Sequence, residues 1–207
     1  MWGRGLADVE PTSDSEAAFE AVTGWVHALA DQQERDEQRV CLDWANYGRG
    51  ICLSGPPGTL KTTIAAAALY DIKKRDDVVV GFVRFPALLE ARRGRYQDRG
   101  KPRSNNPDFV DHEANEIKEL LEAVRLADVL LLDDVGSERE VRDSGFAAEV
   151  LDETLRHRFD AGRPTIVTTN LRDSEWAGRY DEATASFIHQ AFREYLVLGG
   201  PDLRAES

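Results

Sequence analysis

The 207-residue sequence predicts an α/β fold built on a parallel sheet. Three observations carry that expectation. From Gly50 onward, short apolar runs alternate with helical stretches of about ten residues or more. Strands separated by connections of that length pair in parallel, through right-handed crossovers. No segment repeats another. With 42% hydrophobic and 8% aromatic residues, the chain can bury one sizeable core.

The elements follow in order. Residues 1–14 are polar and carry Gly3, Gly5 and Pro11, which reads as a loose lead-in. Ser13 and Glu16 have capping-box spacing, and Phe19, Val22, Trp25, Val26 and Leu29 then share one helical face. The polar run "DQQERDEQ" follows, and a short second helix carries Val40, Cys41, Trp44 and Ala45 until Gly48 stops it. Residues 1–48 thus read as a helical lead-in, and 49–207 as the core.

In the core, "ICLSG" is a strand and "KTTIAAAALYDI" an alanine-rich helix. "DVVVGFVRF" reads as a buried strand, and "PALLEARRGRYQ" as a helix with Pro86 in its first turn. The polar "DRGKPRSNNPD" loops out. Ile117, Leu120, Leu121 and Val124 mark an amphipathic helix that leads into the strand "DVLLLDD". Phe146, Val150, Leu151, Leu155 and Phe159 mark another, closed by Gly162 and Pro164. The strand "TIVTTN", a last helix and the strand "YLVLG" complete the pattern.

Charge and composition exclude several classes. A formal net charge of −12 argues against a protein that coats nucleic acid over its whole surface. A local basic contact survives, because charges are screened over about 8–10 Å at ordinary salt. No apolar run approaches a membrane span and no apolar leader follows basic residues, so a cytoplasmic protein without membrane attachment is expected. Cys41 and Cys52 make neither a disulfide framework nor a zinc site, and His27, His112, His157 and His189 lack ligand spacing.

Three motifs carry chemistry. In "LSGPPGTLKTT" the residues Gly55, Pro56, Pro57, Gly58, Thr59, Leu60, Lys61, Thr62 and Thr63 follow a strand and open a helix, as a phosphate-binding loop requires. Its backbone N–H groups and Lys61 would hold phosphates, and the Thr62 hydroxyl a magnesium ion. Leu60 stands where the pattern G-x-x-x-x-G-K-[ST] has its last glycine. If that position needs a left-handed backbone, leucine costs about 1–2 kcal/mol. Nucleotide would then bind more weakly than to a Leu60→Gly variant. If the backbone is ordinary helix, only side-chain bulk matters.

In the second motif, "VLLLDD", an apolar strand ends in two carboxylates. Asp133 would hold the metal, and Asp134 would orient or deprotonate the attacking water. In the third, "RPTIVTTN", Asn170 ends a strand with an amide suited to a water or the terminal phosphate.

Together these segments resemble an AAA+ ATPase of the P-loop class, with Walker A, Walker B and sensor 1 elements in that order. The phrases "GICLSGPPGT", "ADVLLLDDVGSE", "LRHRFDAGRPTIVTTNL", "SEW" and "GGPDLR" are similar to DnaC-like helicase loaders and IstB-like transposition helper ATPases. The resemblance implies a five-stranded parallel sheet flanked by helices, a minimal C-terminal lid, ATP and Mg2+ as cofactors, and self-association. It implies a replicative helicase or a transposase as partner, with the loaders' N-terminal partner-binding domain missing or encoded elsewhere. The segment "ATASFIHQAF" has Ser186 followed by Phe187 where family members place an arginine that serves a neighbouring subunit. Arg179, Arg193 and Arg204 flank it, Arg193 being a candidate substitute and Arg204 matching the family's terminal arginine. Such an arginine is worth about 10³–10⁵ in rate, so slow hydrolysis is expected.

The segment "ARRGRYQDRGKPR" is basic within an acidic chain, and in loaders this place faces single-stranded DNA. Arg92, Arg93, Arg95 and Arg99 would hold phosphates while Tyr96 stacks on a base. A solvated loop is the competing reading. A small-molecule kinase and a nucleotide-gated scaffold are the competing functions.

Overall fold

The computed structural model describes residues 3–37, 48–75, 78–98, 112–138 and 144–203, with the backbone alone described in 30–37, 95–98, 112–114 and 144. Five strands form one parallel sheet: β1 Gly50–Ser54, β2 Val80–Arg84, β3 Val129–Val135, β4 Thr165–Thr169 and β5 Phe192–Val197, in the order β2-β3-β4-β1-β5. The helices are α1 Glu16–Glu37, α2 Lys61–Lys73, α3 Phe85–Asp98, α4 His112–Leu126, α5 Ser144–Asp160, α6 Trp176–Arg179 and α7 Glu182–Ala191.

Alternation along each strand divides the core into two layers. Ile51, Leu53 and Leu131 face a cluster with Val22, Trp25 and Val26 of α1 and Ile64 and Leu69 of α2. Cys52, Leu130 and Leu132 face the other way, against Leu88 of α3, Val124 of α4, Leu151 of α5 and Phe187 of α7. Both faces of the central strands are therefore covered, which is why "ICLS", "VLLL" and "TIVTT" read as unbroken apolar or β-branched runs.

Four expectations need correction. β2 lies at the sheet edge, with Phe82 exposed; one neighbour instead of two leaves part of it open. α1 does not end before "DQQERDEQ" but runs on to Glu37, since Gln, Glu and Arg are good helix formers. The lead-in is pinned. Leu6 is buried, its N–H donates to Asp71 Oδ2 on α2 at 2.8 Å, and the Gly5 N–H donates to Asp8 Oδ2 at 2.9 Å. α1 itself opens two residues later than the capping-box spacing suggests: the Phe19 N–H donates to Ser15 O, and Ser15 Oγ accepts the Thr12 N–H. The second helix read around Val40 to Ala45 lies outside the described residues.

Candidate functional site

The C-terminal ends of β1, β3 and β4 come together at the start of α2. The turn after β1 is tied to β4 by the Gly55 N–H on Thr169 O at 3.2 Å, and closed by Thr59 Oγ1 on Pro56 O at 2.8 Å. Leu60 caps α2 with φ 63° and ψ 6°, a left-handed backbone. The alternative left open by the sequence is thereby decided: a leucine holds a conformation that favours glycine. The Leu60 carbonyl accepts the Ile64 N–H at 2.9 Å. The N–H groups of Lys61, Thr62 and Thr63 therefore stand at the positive end of the helix.

Lys61 is buried, and its ammonium donates to Gly55 O at 2.7 Å and Pro56 O at 2.6 Å. Thr62 Oγ1 donates to Asp133 Oδ1 at 2.8 Å, joining the first turn of α2 to β3. The same carboxylate oxygen accepts Thr168 Oγ1 at 2.6 Å, and Thr168 Oγ1 accepts the Asp134 N–H at 2.9 Å. Asp133 is buried among these hydroxyls. Asp134 breaks the strand's alternation. Its φ of 67° interrupts the β3–β4 register between Leu132 and Val135 and turns the carboxylate towards Arg84 on β2, with Oδ2 3.2 Å from Nη2. Asn170 is exposed at the end of β4, one residue past the Ser54–Thr169 pairing.

Two features at the loop carried no sequence signal for their role. The segment after β5 crosses it: the Leu198 N–H donates to Ser54 O at 2.7 Å, and the Leu203 N–H reaches Gly58 O at 3.4 Å. Gly58, with φ 80°, has no room for a side chain, since a Cβ there would lie 1.8 Å from Asp202 Oδ1. Beside the loop, a cavity of about 480 Å3 opens between the lead-in and α2, lined by Arg4, Val9, Glu10, Leu60, Thr63 and Ala67 among others. Its size suits a base or a similar flat group.

The remaining predicted residues lie elsewhere. Arg92 sits between α3 and α5, 3.2 Å from Glu153 Oε2, and the Arg93 guanidinium lies 5.2 Å from the Phe146 ring centre. Arg95 and Tyr96 follow on α3, but their side chains, with Arg99 and Arg204, lie outside the described residues. Arg179 is engaged within its own chain. It holds the Glu138 carboxylate at 2.9 Å and the Glu138 carbonyl, and the same carboxylate accepts the Tyr180 hydroxyl and the Gly136 N–H. Phe187 is buried edge-on against Phe159, with the Arg156 guanidinium 4.2 Å from its ring centre. Arg193, on β5, is exposed.

Among the described residues, no group of three or more His, Cys, Asp or Glu side chains forms a metal site by itself, and no helix is long and apolar enough to cross a membrane. Thr62 and Asp133 nevertheless offer two hard oxygen donors within 2.8 Å of each other. That pair suits Mg2+, which draws its other ligands from phosphate and water.

Comparison with known proteins agrees with this geometry. The profile of the ATPase family associated with various cellular activities (AAA) matches residues 51–185. An ATP-binding protein of an insertion sequence in Mycobacterium tuberculosis is 26% identical over 169 residues, 80% of this chain. The match spans 59% of that relative's length. Among solved structures, the DnaC helicase loader superposes with a TM-score of 0.68 at 24% identity, over 95% of this chain and 97% of that one. AMPPCP-bound DnaA from Aquifex aeolicus gives a TM-score of 0.64 at 17% identity, over 94% of this chain and 49% of that one.

Proposed function

The chain belongs to the AAA family of ATPases, and from that premise we propose that it is an accessory ATPase of DNA replication, similar to helicase loaders. It binds ATP with Mg2+ at the loop between β1 and α2 and hydrolyses it slowly. The observation that carries this reading is the Thr62–Asp133 contact at 2.8 Å, which joins a phosphate-binding loop to a carboxylate at the end of the neighbouring strand system.

In this reading the N–H groups of Lys61, Thr62 and Thr63 and the end of the α2 dipole receive the phosphates. The Lys61 ammonium leaves the Gly55 and Pro56 carbonyls for the phosphate oxygens. Thr62 and Asp133 hold magnesium, which when bound neutralises charge on the phosphates. Asp134 orients or deprotonates the attacking water, and Asn170 hydrogen-bonds that water or the terminal phosphate. The cavity beside Thr63 and Ala67 takes the base.

Slow turnover is supported by two observations. Asp134 is held by Arg84, and Arg179 is committed to Glu138. Self-association would add a neighbour's arginine, for which exposed Arg193 is the candidate. Single-stranded DNA would meet the basic segment that begins on α3, through Arg92, Arg93, Arg95, Tyr96 and Arg99, with Arg92 drawn away from its exposed partner Glu153.

A second reading, a transposition helper, is favoured by the insertion-sequence relative. Retention of a replicative helicase on the immobilised protein, with ATP but not without it, supports the first reading; retention of a transposase instead supports the second. Turnover measured with and without single-stranded DNA tests the ATPase itself. Phosphate transfer to a small acceptor would replace both readings with a kinase, and binding without turnover with a scaffold.

A further inference from the structure

We propose that the cleft enclosed by α3, α4 and α5 is a second anion site, built for a small phosphomonoester and separate from the loop at β1. The cleft has a volume of about 280 Å3 and is lined by Arg92, Arg125, His157, Arg158, Thr154 and Glu153, with Leu121 and Val124 as an apolar wall. It lies at the opposite end of the sheet from the β1 loop. Arg158 there donates to Ala127 O and Asp128 O just before β3, and to Pro164 O and Thr165 Oγ1 at the start of β4.

Three features point to an anion. The first is an excess of positive charge: Arg92, Arg125 and Arg158 line the cleft against one carboxylate, Glu153, with Asp128 acting on Arg158 from nearby. Arg158 is fully buried and its hydrogen bonds go to carbonyls and one hydroxyl. Burial and the nearby Arg163 lower its pKa to about 10, so it remains charged at neutral pH and its field is poorly screened. Arg163 in turn donates to Arg125 O at 2.7 Å, which keeps a further cation at the rim.

The second is a pair of unmet polar groups. Thr154 is 4% exposed, and its Oγ1 is buried without a hydrogen-bond partner; so is Arg92 Nε. Buried polar atoms are ordinarily paired, and an unpaired one is destabilising. Both atoms are closed to solvent, so a phosphate oxygen pairs with them only once Arg92 has left Glu153.

The third is the weakness of what now occupies the arginines. Arg92 meets Glu153, whose side chain is 59% exposed, at 3.2 Å, and Arg125 Nε meets His157 Nε2 at 3.3 Å. An ion pair with so exposed a partner is weak, so an incoming phosphate can displace the carboxylate. At about 280 Å3 the cleft has more space than a bare phosphate needs. Leu121 and Val124 would meet the organic part of an ester.

The test is a titration of phenyl phosphate into the full chain, following the His157 imidazole by NMR with His157→Gln for assignment. A saturable shift is expected, unchanged in Lys61→Ala. Arg92→Gln and Arg125→Gln should each weaken binding about tenfold or more, and Glu153→Gln should tighten it. Thr154→Val provides a reading that a structural role would not give: the free protein melts higher, yet the ligand-induced rise in melting temperature shrinks. Four results would overturn the proposal. They are a shift that does not saturate, a shift lost in Lys61→Ala, affinities unchanged by both arginine variants, or inorganic phosphate binding as tightly as the ester.

Discussion

Arg84 and Asp134 face each other across β2 and β3 at 3.2 Å, although Arg84 is paired in register with Asp133. The displacement comes from the left-handed backbone at Asp134, which turns the second carboxylate of the pair sideways to the edge strand. The acid proposed to prepare the attacking water is thus held by a cation that belongs to the same chain.

Removing that cation should speed the enzyme. The Arg84 side chain is 60% exposed and that of Asp134 34%, so the pair contributes about 0–1 kcal/mol. Arg84→Ala is expected to raise basal ATP turnover up to about fivefold and to leave the melting temperature nearly unchanged. Steady-state phosphate release measures the first and calorimetry the second. A fall in turnover would mean that Arg84 assists the reaction.

Leu60→Gly separates strain from bulk. If the fold holds the left-handed backbone with or without nucleotide, its cost of about 1–2 kcal/mol falls on folding. Glycine relieves that strain but removes a half-buried side chain from the cluster around α1 and α2. The two effects should nearly cancel in a thermal melt. Titration with ADP should then show a gain in affinity smaller than the roughly tenfold that full transfer of the strain to binding would produce. A larger gain would show that residue 60 changes conformation when nucleotide enters.

Burial pushes the Cys52 thiol well above its usual range, with the nearby Asp173 charge adding to the effect. The neutral thiol is the form the fold accommodates. Its contribution to stability is full below the ordinary thiol range and is lost as pH climbs towards the raised folded value. In a Cys41→Ser background, a thiol reagent at neutral pH should therefore modify Cys52 only as fast as the protein unfolds. Labelling at saturating reagent that is faster than unfolding measured independently would contradict this burial.

How much of this was legible beforehand follows from distance along the chain. Gly55, Lys61 and Thr62 lie within one strand-turn-helix, and local spacing suffices to read them. Asp133 was legible only in company: an Asp pair after an apolar strand is often just a turn, and its place beyond a Lys-Thr loop in the same α/β pattern marked it. The Arg84–Asp134 pair depends on which strand lies beside which and on one backbone angle, and neither leaves a mark in residue spacing. β2 was read as buried because "DVVVGFVRF" is apolar throughout, but its edge position leaves Phe82 open. Asp202 and Gly58 meet only because β5 lies next to β1 and delivers the following segment onto the loop. Thr168 was quoted only as part of a strand, although its hydroxyl lies between both acids.

That hydroxyl makes the last prediction. Thr168 Oγ1 donates to Asp133 Oδ1 at 2.6 Å and accepts the Asp134 N–H at 2.9 Å, so one buried atom orients the proposed metal carboxylate and the backbone of the proposed water-activating one. Valine has nearly the same shape but offers neither bond. Thr168→Val leaves a buried N–H unpaired and removes a charge-assisted bond, a loss of about 1–3 kcal/mol in stability. Because Thr168 is not proposed to touch nucleotide, KM for ATP should move little while kcat falls about tenfold or more. Thr168→Ser restores both hydrogen bonds and should recover most of kcat. If valine instead raised KM and left kcat intact, Thr168 would be shaping the nucleotide pocket and not the two acids.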